Sequence, residues 1–189
     1  MLKVNTKETM LDAAVRTVRQ VGYAGATSRA VAARGGFNQA LIYYHYGSVD
    51  GLLLAALDAL GAERLIRYRR LIDEAETPEA LLEAARRIYR ADRRSGHVAF
   101  VSQLVAAGMA KPELGRRVLE RMEPWIELAE NTLRKALRDT PLEGLPASEL
   151  AYAVVTYYLG LNLLTQLDPR RARADALLAQ LRHALPLVG

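Results

Sequence analysis

The chain has 189 residues, 51% of them hydrophobic and 25% charged, which is enough apolar mass to fold and excludes a disordered polymer. It has no cysteine, which removes disulfide scaffolds, thiol catalysis, iron–sulfur clusters and zinc ribbons; its three histidines, His45, His97 and His183, stand far apart. Most of the net charge of +5 falls in residues 1–47, where Lys3, Lys7, Arg16, Arg19, Arg29 and Arg34 face only Glu8 and Asp12, so a polyanion would be met at this end.

The pattern predicts helix throughout, punctuated by glycine and proline, with no run of alternating β-branched residues. A first helix runs from about Thr6 to Val21, with Leu11, Ala14, Val15, Val18 and Val21 on one stripe, and Gly22 stops it. Thr27 caps a short helix from Ser28 to Arg34, and Gly35-Gly36 turns the chain. Asn38 caps a third helix, about Gln39 to Tyr44, and Gly47-Ser48 separates it from a long fourth one, near Val49 to Glu74. Thr77-Pro78-Glu79, a cap with proline at the first helical position, opens a helix to about Arg94. Ser95-Gly96 precedes a helix through Ala110, and Lys111-Pro112 opens a long helix to about Asp139, with a kink at Pro124. After the loop 141–146 an apolar helix spans Ala147–Leu167, and a last one spans about Arg171 to Ala184. The expected fold is all-α with about nine helices, three short ones in front of six longer ones. Met1–Lys7 lacks the apolar run of a signal peptide, and the greasiest stretches, around 52–60 and 150–164, are broken by Asp58 and by Glu149, Thr156 and Asn162. A cytoplasmic chain without a membrane span is expected.

The second and third helices and the glycine turn between them make a helix-turn-helix. In such a unit the later helix buries one face and offers the other to the major groove. Phe37, Ile42 and Tyr46 form the inward set; Ala40 and Tyr44 lie opposite Ile42, with Tyr43 beside them. Asn38 and Gln39 sit at the end that reaches base edges, and their amides can bond adenine N6 and N7. Ala40 lets the backbone approach closely, and its methyl can touch thymine. Tyr43, Tyr44 and His45 offer donors to phosphate, and Thr27, Ser28 and Arg29 offer a second set at the start of the short helix. The same aromatics also suit a packing wedge between domains, and helix-turn-helix geometry occurs in proteins that never meet DNA. Spacing leaves both readings open.

The segment Gly36-Phe37-Asn38-Gln39-Ala40-Leu41-Ile42-Tyr43-Tyr44-His45-Tyr46-Gly47-Ser48 resembles the recognition-helix signature of the TetR family of transcriptional regulators. Ala13-Ala14, Gly22-Tyr23, Thr27 and Val31-Ala32 fit the rest of that family's N-terminal domain in order and spacing, so the likeness covers about residues 6–57. Val49 stands where the family usually has a phosphate-contacting lysine, and Tyr46 where it usually has phenylalanine. The resemblance implies a helix-turn-helix DNA-binding domain over residues 1–47 and an effector-binding and dimerisation domain over residues 48–189. It implies a homodimeric bacterial repressor whose partners are palindromic double-stranded operator DNA, a second copy of itself and a small-molecule effector. Its two recognition helices would enter successive major grooves roughly 34–36 Å apart.

In that family the last two helices pair with their symmetry mates. Here they offer Leu150, Val154, Tyr157, Tyr158 and Leu161, then Leu177, Leu178 and Leu181. An intrachain core is the alternative use of these stripes; their width on terminal helices favours an interface. A small-molecule site is commonly an apolar cleft with a few polar groups. Tyr89, Phe100, Leu104, Met122 and Trp125 supply such surface, and His97, Gln103, Tyr152 and Thr156 are the polar anchors, which points to a small apolar or aromatic effector. Each of these residues taken singly also reads as an ordinary core or surface position. No cofactor or metal is expected, and no enzyme: a di-iron bundle needs Glu-x-x-His pairs, whereas Ile42, Arg94 and Gln180 stand three before the histidines. A helical dimer acting only through protein partners, with no DNA binding, is the remaining alternative.

Overall fold

The computed structural model describes residues 6–168, together with Ala176 and Gln180. Among them the chain forms nine α-helices and no strand. The local signals act largely as expected in the N-terminal third. α1 (Thr6–Gly25) is broken at Gly22, whose φ of 72° takes the backbone out of the helical path. In α2 (Ser28–Gly35) the Ala30 N–H donates to Thr27 Oγ1 at 3.2 Å. Before α3 (Ala40–Tyr46) the Ala40 N–H donates to Asn38 Oδ1 at 2.9 Å, but the helix starts one residue later than expected and Gln39, which directly precedes it, makes no side-chain cap bond. α4 (Val49–Asp73) follows Gly47, and α5 (Pro78–Ser95) opens with Pro78 in its first turn and the Ala80 N–H on Thr77 Oγ1 at 3.2 Å.

After α6 (His97–Ala110) the structure departs from expectation. The single kinked helix predicted over 112–139 is two helices, α7 (Pro112–Glu120) and α8 (Glu123–Leu137). Pro124 has no N–H for the Glu120 carbonyl, and the chain tightens around it to three-residue bonds: Arg121 N–H to Val118 O at 3.1 Å and Trp125 N–H to Met122 O at 3.0 Å. α9 (Ala147–Leu167) closes the described core. The last predicted helix lies outside the described residues except for Ala176 and Gln180, both helical, and Leu177, Leu178 and Leu181 lie outside them as well.

The chain divides into two compact units, Met1–Glu63 with Ala99–Arg121, and Arg64–Val98 with Met122–Gly189. The first has an apolar core: Val18, Val31, Ile42, Leu53, Phe100 and Leu104 are all buried. Its backbones come close at Gly108, where a Cβ would lie 2.6 Å from the Gly115 Cα. A surface cluster joins distant parts of this unit. The Tyr23 O–H donates to Asp50 Oδ1 at 2.6 Å, Lys111 Nζ donates to the Tyr23 oxygen at 2.8 Å, and the Tyr23 N–H donates to Gln103 Oε1 at 3.1 Å.

In the second unit α8 packs along α9, and the interior is different in kind. Its buried side chains include Tyr68, Tyr89, Asp92, His97, Asn162 and Thr165. Among the described residues α9 is the one helix whose length and composition would let it cross a membrane. Yet it is tied into the bundle through polar groups: the Tyr89 O–H donates to Thr165 Oγ1 at 3.1 Å, and Thr165 donates onward to the Leu161 carbonyl at 2.6 Å. These bonds mark a packed helix with one solvent-facing side.

Candidate nucleic-acid interface and ligand site

α3 is only seven residues long, so its orientation depends on what it buries. Ile42 is fully buried, and Phe37 and Tyr46 are half-buried beside it. The opposite face is open: Tyr44 is 82% exposed and Tyr43 53%, with Asn38, Gln39, Ala40 and His45 exposed around them. Two tyrosines so exposed next to a buried isoleucine form a presented surface, because burying them would have been the favourable use of their area.

The start of α2 joins this face. Ser28 Oγ donates to Gln39 Oε1 at 3.4 Å, and the Tyr43 O–H donates to Ser28 Oγ at 3.3 Å. Ser28, Gln39 and Tyr43 therefore form one polar run, with Thr27 and Arg29 exposed on either side of Ser28. The structure thus brings all nine residues singled out for DNA onto neighbouring surface. Arg34 has another use: its Nε donates to Thr17 Oγ1 at 3.1 Å and its guanidinium also holds Gln20, which fastens α2 to α1.

Asp50 lies in the first turn of α4, just past α3. It accepts the Tyr23 phenol and sits 3.4 Å from Lys111 Nζ. Burial, then the bond to Asp50, pushes the Tyr23 phenol up from its ordinary value, and the bond that Lys111 donates to Tyr23 raises the Lys111 ammonium. Sequence reading passed over this trio because its members are far apart in the chain.

The residues singled out for an effector divide between the units. Phe100 and Leu104 are buried in the first, and the exposed Gln103 is engaged there by Tyr23. Tyr89, His97, Met122, Trp125, Tyr152 and Thr156 belong to the second. Of these, His97 and Trp125 are brought together, ring centroids 6.3 Å apart, and the Tyr68 ring meets Trp125 edge-on at 5.7 Å. Tyr89 lies with Tyr158 and Leu161, whereas Tyr152 and Thr156 are on the exposed side of α9.

Beside His97 is a buried carboxylate. Asp92 accepts the hydroxyls of Tyr68 and Tyr158, and Arg64 Nε lies 3.4 Å from its Oδ1. Burial and the neighbouring Asp92 push both phenols well above their ordinary value. Burial pushes the His97 imidazole down from 6.5 to about 4; Arg64 adds to the fall and Asp92 opposes it. Asp92, Arg64 and Tyr68 were not among the predicted site residues. The available signal was Asp92 itself, a carboxylate placed three after Tyr89 and four after Ile88 on the inward stripe of α5.

Of the expected dimer residues, Leu150, Tyr158 and Leu161 are half-buried, and Val154 and Tyr157 are exposed. Tyr152, Leu163, Leu164 and Leu167 extend the exposed apolar surface of α9.

The family described as bacterial regulatory proteins, tetR family, matches residues 10–56. No curated protein matches the chain. The fold is that of several solved regulators. The fatty acid degradation regulator FadR from Bacillus halodurans is 16% identical, covers 100% of this chain and 97% of its own, and superposes with a TM-score of 0.80. FadR from Bacillus subtilis, solved in complex with stearoyl-CoA, is 16% identical over 91% of this chain and 95% of its own, with a TM-score of 0.77. A TetR family member from Streptomyces coelicolor is 24% identical over 94% and 98%, with a TM-score of 0.69. Residues 10–56 thus match the N-terminal sequence of the tetR family of bacterial regulatory proteins, and the whole chain has the fold of these solved regulators.

Proposed function

We propose that the chain is a cytoplasmic, ligand-responsive transcriptional repressor that binds palindromic operator DNA as a homodimer. The observation that carries this reading is the open face of α3, with Tyr44 82% exposed opposite a fully buried Ile42. Asn38, Gln39 and Ala40 read base edges, and Tyr43, Tyr44 and His45 hold phosphates. Thr27, Ser28 and Arg29 clamp the backbone at the start of α2, where helix amides favour an anion. Residues 1–47 act as the DNA-binding domain and residues 48–189 as the effector and dimerisation part.

A twofold partner covers the exposed side of α9, including Val154, Tyr157 and the expected Leu150 and Leu161; the apolar exposure of Leu164 at 65% and Leu167 at 75% supports this. The effector, a small apolar or aromatic molecule, binds among Tyr89, His97, Met122 and Trp125. The stearoyl-CoA bound by the Bacillus subtilis neighbour supports a ligand-binding role for this fold. Effector binding then shifts the population away from the DNA-competent state, and a coupling of about 1–3 kcal/mol would change operator affinity roughly 5- to 150-fold.

Selection of bound duplexes from a random pool tests the reading. It predicts enriched palindromes and an affinity that falls steeply as salt rises. No enrichment, or binding indifferent to salt, would overturn it in favour of a helical dimer that acts through protein partners.

A further inference from the structure

The interior of the second unit is equipped for recognition rather than for packing alone. His97 is 7% exposed, and its Nδ1 is buried with no hydrogen-bond partner among the described residues. Leaving such an atom unpaired is unfavourable unless something else meets it. Trp125 packs on one side of that ring, and Tyr68 stands edge-on to Trp125. Met122, Trp125 and Ile126, around the start of α8, are each half-buried, so this end of α8 is partly open to solvent.

The charges here are already matched. Asp92 is 3% exposed and is held by Tyr68, Tyr158 and Arg64, a carboxylate against a guanidinium. His97 stays uncharged at neutral pH. Among the described residues the charges enclosed at this corner are Asp92 and Arg64, which already face each other, while Arg67, 5.5 Å from the Tyr68 ring, is exposed. A charge buried beside the neutral His97 would have no partner of its own, which is strongly disfavoured.

Resting on the effector-responsive reading above, we infer that the corner formed by His97, Trp125 and Tyr68 takes an uncharged aromatic compound bearing a hydroxyl group, which hydrogen-bonds to His97 Nδ1. The aromatic ring lies against Trp125 and Tyr68, where ring edges and faces attract. A hydroxyl serves either imidazole tautomer because it both donates and accepts. The Asp92–Arg64 pair selects against carboxylates, phosphates and ammonium groups. This distinguishes the site from one built for an anionic acyl carrier such as the stearoyl-CoA seen in the Bacillus subtilis neighbour.

The test uses the full chain and five probes on one ring system: naphthalene, 2-methoxynaphthalene, 2-naphthol, 2-naphthoate and 2-naphthylmethylammonium, each titrated by calorimetry at neutral pH. 2-Naphthol should bind about tenfold tighter than 2-methoxynaphthalene, which lacks the donor, and the two ions should bind more weakly than either. In His97→Phe the preference for naphthol over its methyl ether should vanish while the affinity for the ether persists. His97→Gln keeps a polar group at the position and should retain part of the preference if His97→Phe does not fold. Tightest binding by 2-naphthoate or the ammonium, a naphthol preference unchanged in His97→Phe, or no binding by any probe would overturn the inference. Titration in the presence of selected operator separates the two proposals. Naphthol that binds without altering DNA affinity refutes the regulatory coupling and leaves the site, whereas intact DNA binding with no naphthol binding refutes the site alone.

Discussion

Acidification should cost the second unit about 3 kcal/mol of stability through His97 alone. The imidazole titrates at 6.5 when free and at about 4 in the fold. At about 1.36 kcal/mol per pH unit, that fall comes to about 3 kcal/mol. The unfolded chain takes up the proton below about 6.5, whereas the folded chain refuses it until about 4. Stability from this group is therefore complete above 6.5, declines as pH falls through the window, and levels off below 4. The cause is the burial of His97 first and the positive Arg64 second. Urea unfolding followed by the fluorescence of Trp125, the only tryptophan and a neighbour of His97, reads the right unit. With a urea dependence of about 1–3 kcal/mol per molar, the midpoint should move by about 1–3 M across the window. The carboxylates titrate too, so the decisive quantity is the difference from His97→Gln, whose amide takes no proton in this range. The wild-type curve should fall more steeply by the stated amount. Parallel curves for the two proteins would refute the reasoning.

Gln39→Ala should relax base preference at one operator position and cost about 1–3 kcal/mol there, measured against single-base operator variants. Tyr44→Phe or His45→Ala should instead weaken all sequences alike, and a base-specific effect from either would move it out of the phosphate-contact role. Leu164→Arg should leave helix content unchanged by circular dichroism and shift the sedimentation coefficient to that of a monomer; an unchanged dimer would place the interface elsewhere. Gly22→Ala should destabilise the first unit by about 1–2 kcal/mol in thermal melts, because φ is 72° and the new Cβ would stand 3.2 Å from Gln103 Oε1. A neutral result would show that the turn relaxes.

What the sequence could reveal was whatever neighbours in the chain decide between themselves. Thr27 and Thr77 cap the helices they precede, and Asn38 accepts from the first residue of α3, because each acceptor sits two or three residues from its donor. The open face of α3 was legible for the same reason: helical spacing alone sets Ala40 and Tyr44 opposite Ile42. Pro124 was visible, but whether it would bend or end the helix depended on how the flanking turns tightened. The polar interior of the second unit was beyond reach. Tyr68 and Tyr158 meet Asp92 across 24 and 66 residues, and Gln103 meets Tyr23 across 80. Hydrogen bonds over such separations exist only once packing has fixed which helices are adjacent and how they are rotated, and no local preference carries that information. The sequence therefore determined the helices and caps of the N-terminal third and the face of α3, but not the break at Pro124. Tertiary structure alone decided that a histidine, a tryptophan and a neutralised carboxylate would share one corner.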